Sequence, residues 1–129
     1  MTDTLTESTH AGEYIISEAS GQRSRDAIIL TGGSFPAGTV LGKVTANSKY
    51  TKHDPAGADG TENAIAILFA PVDASTADVE ATISARDSEV NGGEAPPGGH
   101  ISWIAGISAG DKSDGIGSLA GVGIIVRGA

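Results

Sequence analysis

Three histidines are the residues of this chain best suited to metal binding or proton transfer. His10, His53 and His100 lie far apart, and no two of them have the close spacing that usually marks paired zinc ligands. We therefore expect solvent-exposed histidines in loops and in the N-terminal segment, with no metal site. The chain has no cysteine, which excludes disulfides and thiolate chemistry.

Two acidic segments carry oxygen atoms that a calcium ion could use. The segment 54–62 contains three carboxylates, but Ala56 and Ala58 occupy two of the positions where an EF-hand loop needs oxygen ligands. Its Asp-Pro and Asp-Gly pairs are typical of turns. The segment 111–115 also ends in Asp-Gly, and we predict a turn there as well.

Glycine-rich segments do not supply a nucleotide or catalytic site. Gly115, Gly117 and Gly121 resemble a distorted dinucleotide fingerprint, but the last glycine is displaced by one position. Too few residues follow for the helix and second strand that this mechanism requires. Ser34 lacks the flanking glycines of a nucleophile elbow. The sequence therefore predicts a protein that is not an enzyme and that needs no cofactor.

Composition and charge limit the class of protein further. The 129 residues carry a net charge of -8, which disfavours direct binding to nucleic acid because phosphate groups repel an acidic surface. No apolar run is long enough to span a membrane, and the first residues lack the features of a signal peptide. Nineteen glycines are spread along a chain that is poor in aromatic residues, which indicates many turns between short strands.

The hydrophobic pattern predicts a mainly β, single domain with little helix. The run 64–69 is continuously apolar, as in a strand buried on both faces. The run 79–86 alternates apolar and polar residues, as in a strand with one wet face. Segments 47–62 and 91–99 are predicted to be turns or loops, and 115–121 is too rich in glycine to predict a helix. The predicted strands are Ala27–Leu30, Thr39–Val44, Ala64–Phe69, Val79–Arg86 and Val122–Val126.

The N-terminal residues 1–13 are predicted to form a flexible arm, and 14–129 the β-rich domain. The arm is polar and contains a single large apolar residue, Leu5, so it cannot bury enough surface to offset its ordering entropy. A short strand-prone run begins at Tyr14. Trp103 is the only tryptophan, and its apolar surroundings predict an anchor in the core or in a subunit contact.

A series of short motifs follows in a fixed order along the chain: SRDAIIL, PAGTVLGKV, Asp-Gly-Thr leading into AIAIL, a VDAS segment, ARDSEVN, the apolar residues around Trp103, and a final GIIVR. Taken together, these motifs resemble the head decoration proteins of tailed bacteriophages, the family of the phage lambda capsid-stabilising protein. The likeness covers roughly residues 14–127. The resemblance implies a small β-tulip-like fold with little helix.

The resemblance also implies a function. Such proteins bind as homotrimers to the major capsid protein on the outer surface of the expanded head, at three-fold and quasi-three-fold sites. They are made in the host cytoplasm and stabilise the virion against internal DNA pressure. An arm that adds a strand to the capsid protein would place the capsid contact at Tyr14, Ile15, Ile16 and Ser17. One alternative stays open, a virion or cell-surface β-domain that binds a carbohydrate or receptor through Trp103 or Tyr50.

Overall fold

The computed structural model describes residues 10–93 and 99–128, and over this part of the chain the protein is mainly β, as predicted. Ten strands and two helices occur in these residues, and only the second helix is longer than four residues. In chain order they are β1 (Ile15–Glu18), α1 (Gly21–Ser24), β2 (Arg25–Leu30), β3 (Ser34–Phe35), β4 (Val40–Lys43), β5 (Tyr50–Lys52), β6 (Ala66–Leu68), β7 (Val72–Asp73), β8 (Val79–Ser84), β9 (Ser88–Asn91), α2 (Ala109–Gly121) and β10 (Ile124–Arg127).

Five of the strands close into a small barrel in the order β2-β5-β4-β6-β8. Its longest pairing joins β2 and β8, which run antiparallel over six residues, from Arg25 opposite Ser84 to Leu30 opposite Val79. The barrel closes through a parallel contact between Leu30 and Tyr50. A closed barrel leaves none of these five strands with a fully open edge.

Strands β4 and β6 form a wall between two hydrophobic cores, as predicted for the continuous apolar run 64–69. Side chains alternate across a strand, so successive residues enter opposite cores. The core inside the barrel contains Leu41, Ala66, Leu68 and Ile83. The second core contains Val40 and Ile67, together with residues from the other elements: Tyr14, Ala64, Val90, Ile101, Leu119 and Ile124.

The second core is covered by helix α2 and by a three-stranded sheet with the order β1-β9-β10. Strand β1 is antiparallel to β9, and β10 is parallel to it. Tyr14, immediately before β1, is fully buried, and its hydroxyl is 2.6 Å from that of Ser84 on the barrel. Burial raises the pKa of the Tyr14 phenol to about 12. This hydrogen bond links the sheet to the barrel.

Several predicted strands are confirmed with small shifts, but the turn and loop predictions are partly wrong. Strand β8 has the predicted alternation in its middle, where Ala81 and Ile83 are buried while Glu80 and Thr82 are exposed. At its ends the prediction is wrong, because Val79 is exposed and Ser84 is buried, where its hydroxyl meets that of Tyr14. The predicted turn region 47–62 contains strand β5. This strand is short and polar, so the hydrophobic pattern does not predict it. The predicted loop 91–99 begins with the last residue of β9, and its residues 94–98 lie outside the described part of the chain.

The prediction of a turn at 111–115 and no helix at 115–121 is wrong, because α2 spans both. The helix starts where Ser108 accepts a hydrogen bond of 3.1 Å from the backbone N–H of Asp111. Such a cap satisfies one of the unpaired donors of the first turn. Leu119 lies in the second core and is fully buried. Packing and capping together outweigh the low helix propensity of the four glycines in this helix.

Of the predicted arm, residues 1–9 lie outside the described residues, and residues 10–13 are described. Gly12 donates a backbone hydrogen bond of 2.9 Å to the carbonyl of Phe69. His10 accepts a backbone hydrogen bond from Glu13 through its carbonyl, at 3.0 Å. The chain is thus joined to the barrel from Gly12 onward.

The buried Tyr14–Ser84 hydrogen bond generates a prediction about stability. Tyr14→Phe keeps the ring but leaves the Ser84 hydroxyl without its partner, so we expect a loss of about 1–3 kcal/mol in the free energy of unfolding. Urea denaturation measures this loss. Adding Ser84→Ala to Tyr14→Phe removes the unpaired hydroxyl, and the double variant should lose less than the sum of the two single variants. Strictly additive losses would contradict the contact.

Candidate functional site

The β1-β9-β10 sheet has two outer edges, and β1 forms the one next to the N-terminal segment. Within the described residues, no strand pairs with the other side of β1. Its pairing with β9 is interrupted by a register shift between Ile15 and Ser17. The extra residue, Ile16, is 55% exposed, more than any other large apolar side chain in the described residues. An unpaired strand edge with an exposed apolar side chain can accept a strand from another protein.

A row of side chains crosses the outer face of this sheet. Ser17, Glu89 and Ile125 are in register on the three strands. The Ser17 hydroxyl donates to the Glu89 carboxylate at 2.5 Å, and the Arg127 guanidinium lies 2.7 Å from the same carboxylate. The Ser17 hydrogen bond and then Arg127 lower the pKa of Glu89. The outer face therefore combines a paired charge with the exposed Ile125.

Strand β1 is fixed to the barrel at its other end by an ion pair. The Arg25 guanidinium lies 2.7 Å from the Glu18 carboxylate and stacks on the Phe69 ring at 4.1 Å. The buried Ser24 hydroxyl donates to the same carboxylate at 2.6 Å. The Arg25 hydrogen bond, and then that of Ser24, lower the pKa of Glu18 below its usual value. These contacts hold β1 against the barrel without using its outer edge.

The four residues predicted to contact a capsid have very different environments. Tyr14 is fully buried in the second core, and Ile15 packs against that core. Ile16 and Ser17 are exposed. Only the last two present side chains to a partner in this conformation, while Tyr14 and Ile15 set the position of the strand.

Trp103 is half-buried and packs against the second core beside α2. Its ring is 5.7 Å from that of His53 in an edge-to-face arrangement. Gly115 of α2 lies directly against the indole, because a Cβ atom at this position would be 2.5 Å from it. The glycine thus allows the helix to approach Trp103 closely, a role that the sequence pattern did not reveal.

The aromatic residues of the carbohydrate alternative do not form an exposed platform. Trp103 packs against Gly115 and His53, and Tyr50 packs against the barrel core with Lys43 over its ring. Part of the Trp103 ring lines a surface groove with Ile104 and Ile107, and these two isoleucines also line a second groove. Sugar stacking usually needs an accessible ring face, so these rings give the alternative no support.

The prediction of exposed histidines is wrong for His53. Its side chain is almost fully buried, whereas His10 is exposed and His100 is half-buried. His53 directly follows β5, a strand that the hydrophobic pattern did not predict, and this explains the error. Among the described residues there is no group of three or more His, Cys, Asp or Glu side chains that could hold a metal ion.

The acidic segment 54–62 forms turns, and its carboxylates accept hydrogen bonds from other groups of the same segment. Asp54 accepts from the backbone N–H of Ala56, and Asp59 accepts from both the N–H and the hydroxyl of Thr61. Glu62 accepts from the N–H of Gly60 at 2.8 Å. The turn interpretation of this segment is therefore confirmed.

These features define a small β-rich domain that offers edges and faces to other proteins. A family model described as bacteriophage lambda head decoration protein D matches residues 4–124 of this chain. The chain therefore belongs to this family, and its role is the decoration of a phage capsid as a structural protein of the virion. A search of curated protein sequences found no match. Within the described residues, neither helix is long and apolar enough to cross a membrane.

The contact between Gly115 and Trp103 predicts opposite effects for two alanine substitutions on the same helix. Gly115→Ala places a Cβ against the indole, so we expect a loss of stability of about 1–3 kcal/mol. Gly117→Ala adds a Cβ where no atom lies within 4 Å, so the higher helix propensity of alanine should stabilise by about 0.5–1 kcal/mol. Thermal and urea unfolding of both variants measure these effects. Stabilisation by both substitutions would show that the helix does not approach Trp103 this closely.

Proposed function

We propose that the chain acts as a homotrimeric cement on the outer surface of the expanded phage head. It binds the major capsid protein at three-fold and quasi-three-fold positions and stabilises the shell against the pressure of packaged DNA. Membership of the head decoration family is the observation that carries this proposal. The open edge of β1, close to the N-terminal segment, supports it from the geometry.

The capsid contact is proposed to use the β1 edge and the residues before it. Backbone N–H and C=O groups on an unpaired edge can form a ladder with an extended segment of the capsid protein. Ile16 supplies an exposed apolar side chain for specificity, and Ser17 supplies a hydroxyl on the outer face. Glu18 and Tyr14 hold this strand on the barrel from both ends. The partner therefore meets a preorganised edge, which lowers the entropic cost of binding.

Trimerisation would multiply a modest single contact. A single added strand buries a small area, and part of its gross interaction energy is spent on ordering. When three copies are joined, the second and third contacts form at a high effective concentration, and avidity can exceed the single-site affinity by roughly 10² to 10⁴. Three-fold positions on a shell present three equivalent capsid segments to such a trimer.

Imaging of decorated capsids tests the proposal directly. The purified protein is mixed with expanded, undecorated capsids and the particles are examined by cryo-electron microscopy. We expect added density at three-fold and quasi-three-fold positions on the outer surface only, because three linked contacts bind far more tightly than one. Added density at other positions, or none at saturating protein, would overturn the proposed site.

A matched pair of substitutions tests the proposed edge. Ile16→Asp places a charge at the open edge of β1, and we expect capsid affinity to fall by about tenfold for each contact, and further in a trimer. The control Ile29→Asp changes an exposed isoleucine (40% exposed) on barrel strand β2, which has neighbours on both sides. Co-sedimentation with capsids measures binding, and urea unfolding verifies that both variants fold. Equal binding by the two variants would place the capsid contact elsewhere.

A further inference from the structure

We propose that His53 makes the packing of Trp103 and helix α2 against the barrel depend on pH, with the packed arrangement kept at neutral pH and loosened when the imidazole is protonated. This device would operate in the free protein. It does not rest on the proposed capsid binding.

The hydrogen bonds of His53 determine which form of its ring the fold accepts. The residue is 2% exposed, and its backbone N–H donates to the carbonyl of Val40 at 2.9 Å. The ring Nε2 lies 3.1 Å from the backbone carbonyl of Glu62. A carbonyl can only accept, so Nε2 carries the hydrogen in the neutral ring. The other nitrogen, Nδ1, is then a lone-pair acceptor, and it is buried without a hydrogen-bond partner.

Protonation of Nδ1 would raise the free energy of the packed state. The new N–H at Nδ1 would be a buried donor on a charged ring, and no acceptor lies within reach of it in the described structure. A buried polar group without a partner costs free energy, and a buried charge costs more. Burial accordingly lowers the pKa of His53 from its usual value of 6.5.

The surroundings leave the ring little room to adjust in place. Trp103 lies edge-to-face against it at 5.7 Å, and Gly115 of α2 is close enough that an added Cβ would be 3.6 Å from Cε1 of the imidazole. The imidazolium therefore cannot reach water while Trp103 and α2 stay packed. Release of the indole and of the adjacent helix turn is the available route to solvation.

Two carboxylates near His53 act against the effect of burial without overcoming it. Asp54, which follows it in the chain, and Asp111, on the first turn of α2, both favour the charged ring, as does the Glu62 carbonyl. Burial outweighs all three in the packed state. Strand β4 contributes the Val40 carbonyl to this environment, and the Trp103 segment contributes the indole. The packed state therefore favours the neutral ring despite these two carboxylates.

The direction of the pH effect follows from proton linkage. The loosened state has the ordinary histidine pKa and binds more protons than the packed state, in which the pKa is depressed. The packed arrangement is therefore fully stable above about pH 6.5 and loses stability as the pH falls below that value.

Two measurements on the full chain test the proposal between about pH 8 and about pH 5. Trp103 is the only tryptophan, so acrylamide quenching of its fluorescence reports directly on the exposure of the indole. We expect quenching of the wild type to rise as the pH falls. His53→Gln retains an amide N–H that can reach the Glu62 carbonyl but cannot titrate, and its quenching should stay constant. His100→Gln is the matched control and should behave like the wild type.

The second measurement is the titration of the His53 ring protons by NMR in the wild type, which does not depend on the folding of any variant. A midpoint below 6.5, together with a fall in the urea midpoint over the same pH range, is expected. A His53 midpoint at or above 6.5, or the same pH-dependent quenching in His53→Gln, would overturn the proposal. Because no capsid is present, these results are separate from the test of capsid decoration.

Discussion

The wall formed by β4 and β6 is the constraint on which the rest of the structure depends. Each strand faces apolar side chains on both sides, with Val40 and Ile67 in one core and Leu41, Ala66 and Leu68 in the other. At Gly42 the backbone of Thr61 approaches so closely that an added Cβ would be 2.7 Å from its Cα. One pair of strands thus contributes side chains to two cores in a small domain with few aromatic residues. Because both cores are closely packed against the same strands, each one helps to fix the position of the other.

This arrangement separates the closed barrel from the three-stranded sheet. The barrel strands have neighbours on both sides, whereas in the described residues the outer edges of the β1-β9-β10 sheet have no partner strand. The sheet is joined to the barrel by the shared core, the Tyr14–Ser84 hydrogen bond and the Glu18–Arg25 ion pair. A strand that is held on one side and open on the other can bind a partner without disturbing either core.

The sequence predicted those strands whose hydrophobic pattern reflects which of their faces are buried. The apolar run 64–69 indicated a strand buried on both faces, and the alternation in β8 indicated one wet face, because side-chain period and burial are directly linked in a strand. Helix α2 was missed because its four glycines lower helix propensity, and the contact of one of them, Gly115, with Trp103 is encoded by no local pattern. Its one local signal was Ser108 followed three residues later by Asp111, which is typical of a capped helix start.

The candidate site was predictable only in part, for a related reason. The short apolar run after the arm indicated a strand, but burial of Tyr14 and exposure of Ile16 depend on which face meets the second core. A bulge between Ile15 and Ser17 shifts that register, and a bulge leaves no mark in hydrophobic periodicity. The burial of His53 has the same origin, since it follows from the pairing of β4 and β5 across the chain.

The charge distribution gives this acidic domain a surface that repels phosphate groups. Of the eight basic side chains, five lie in ion pairs with carboxylates in the described structure. Lys43 and Lys52 lie over the rings of Tyr50 and Phe35. Exposed ion pairs of this kind add little stability, so their main effect is on the surface field. Positive charge is neutralised within the chain while excess carboxylates remain, and a phosphate backbone therefore meets net repulsion.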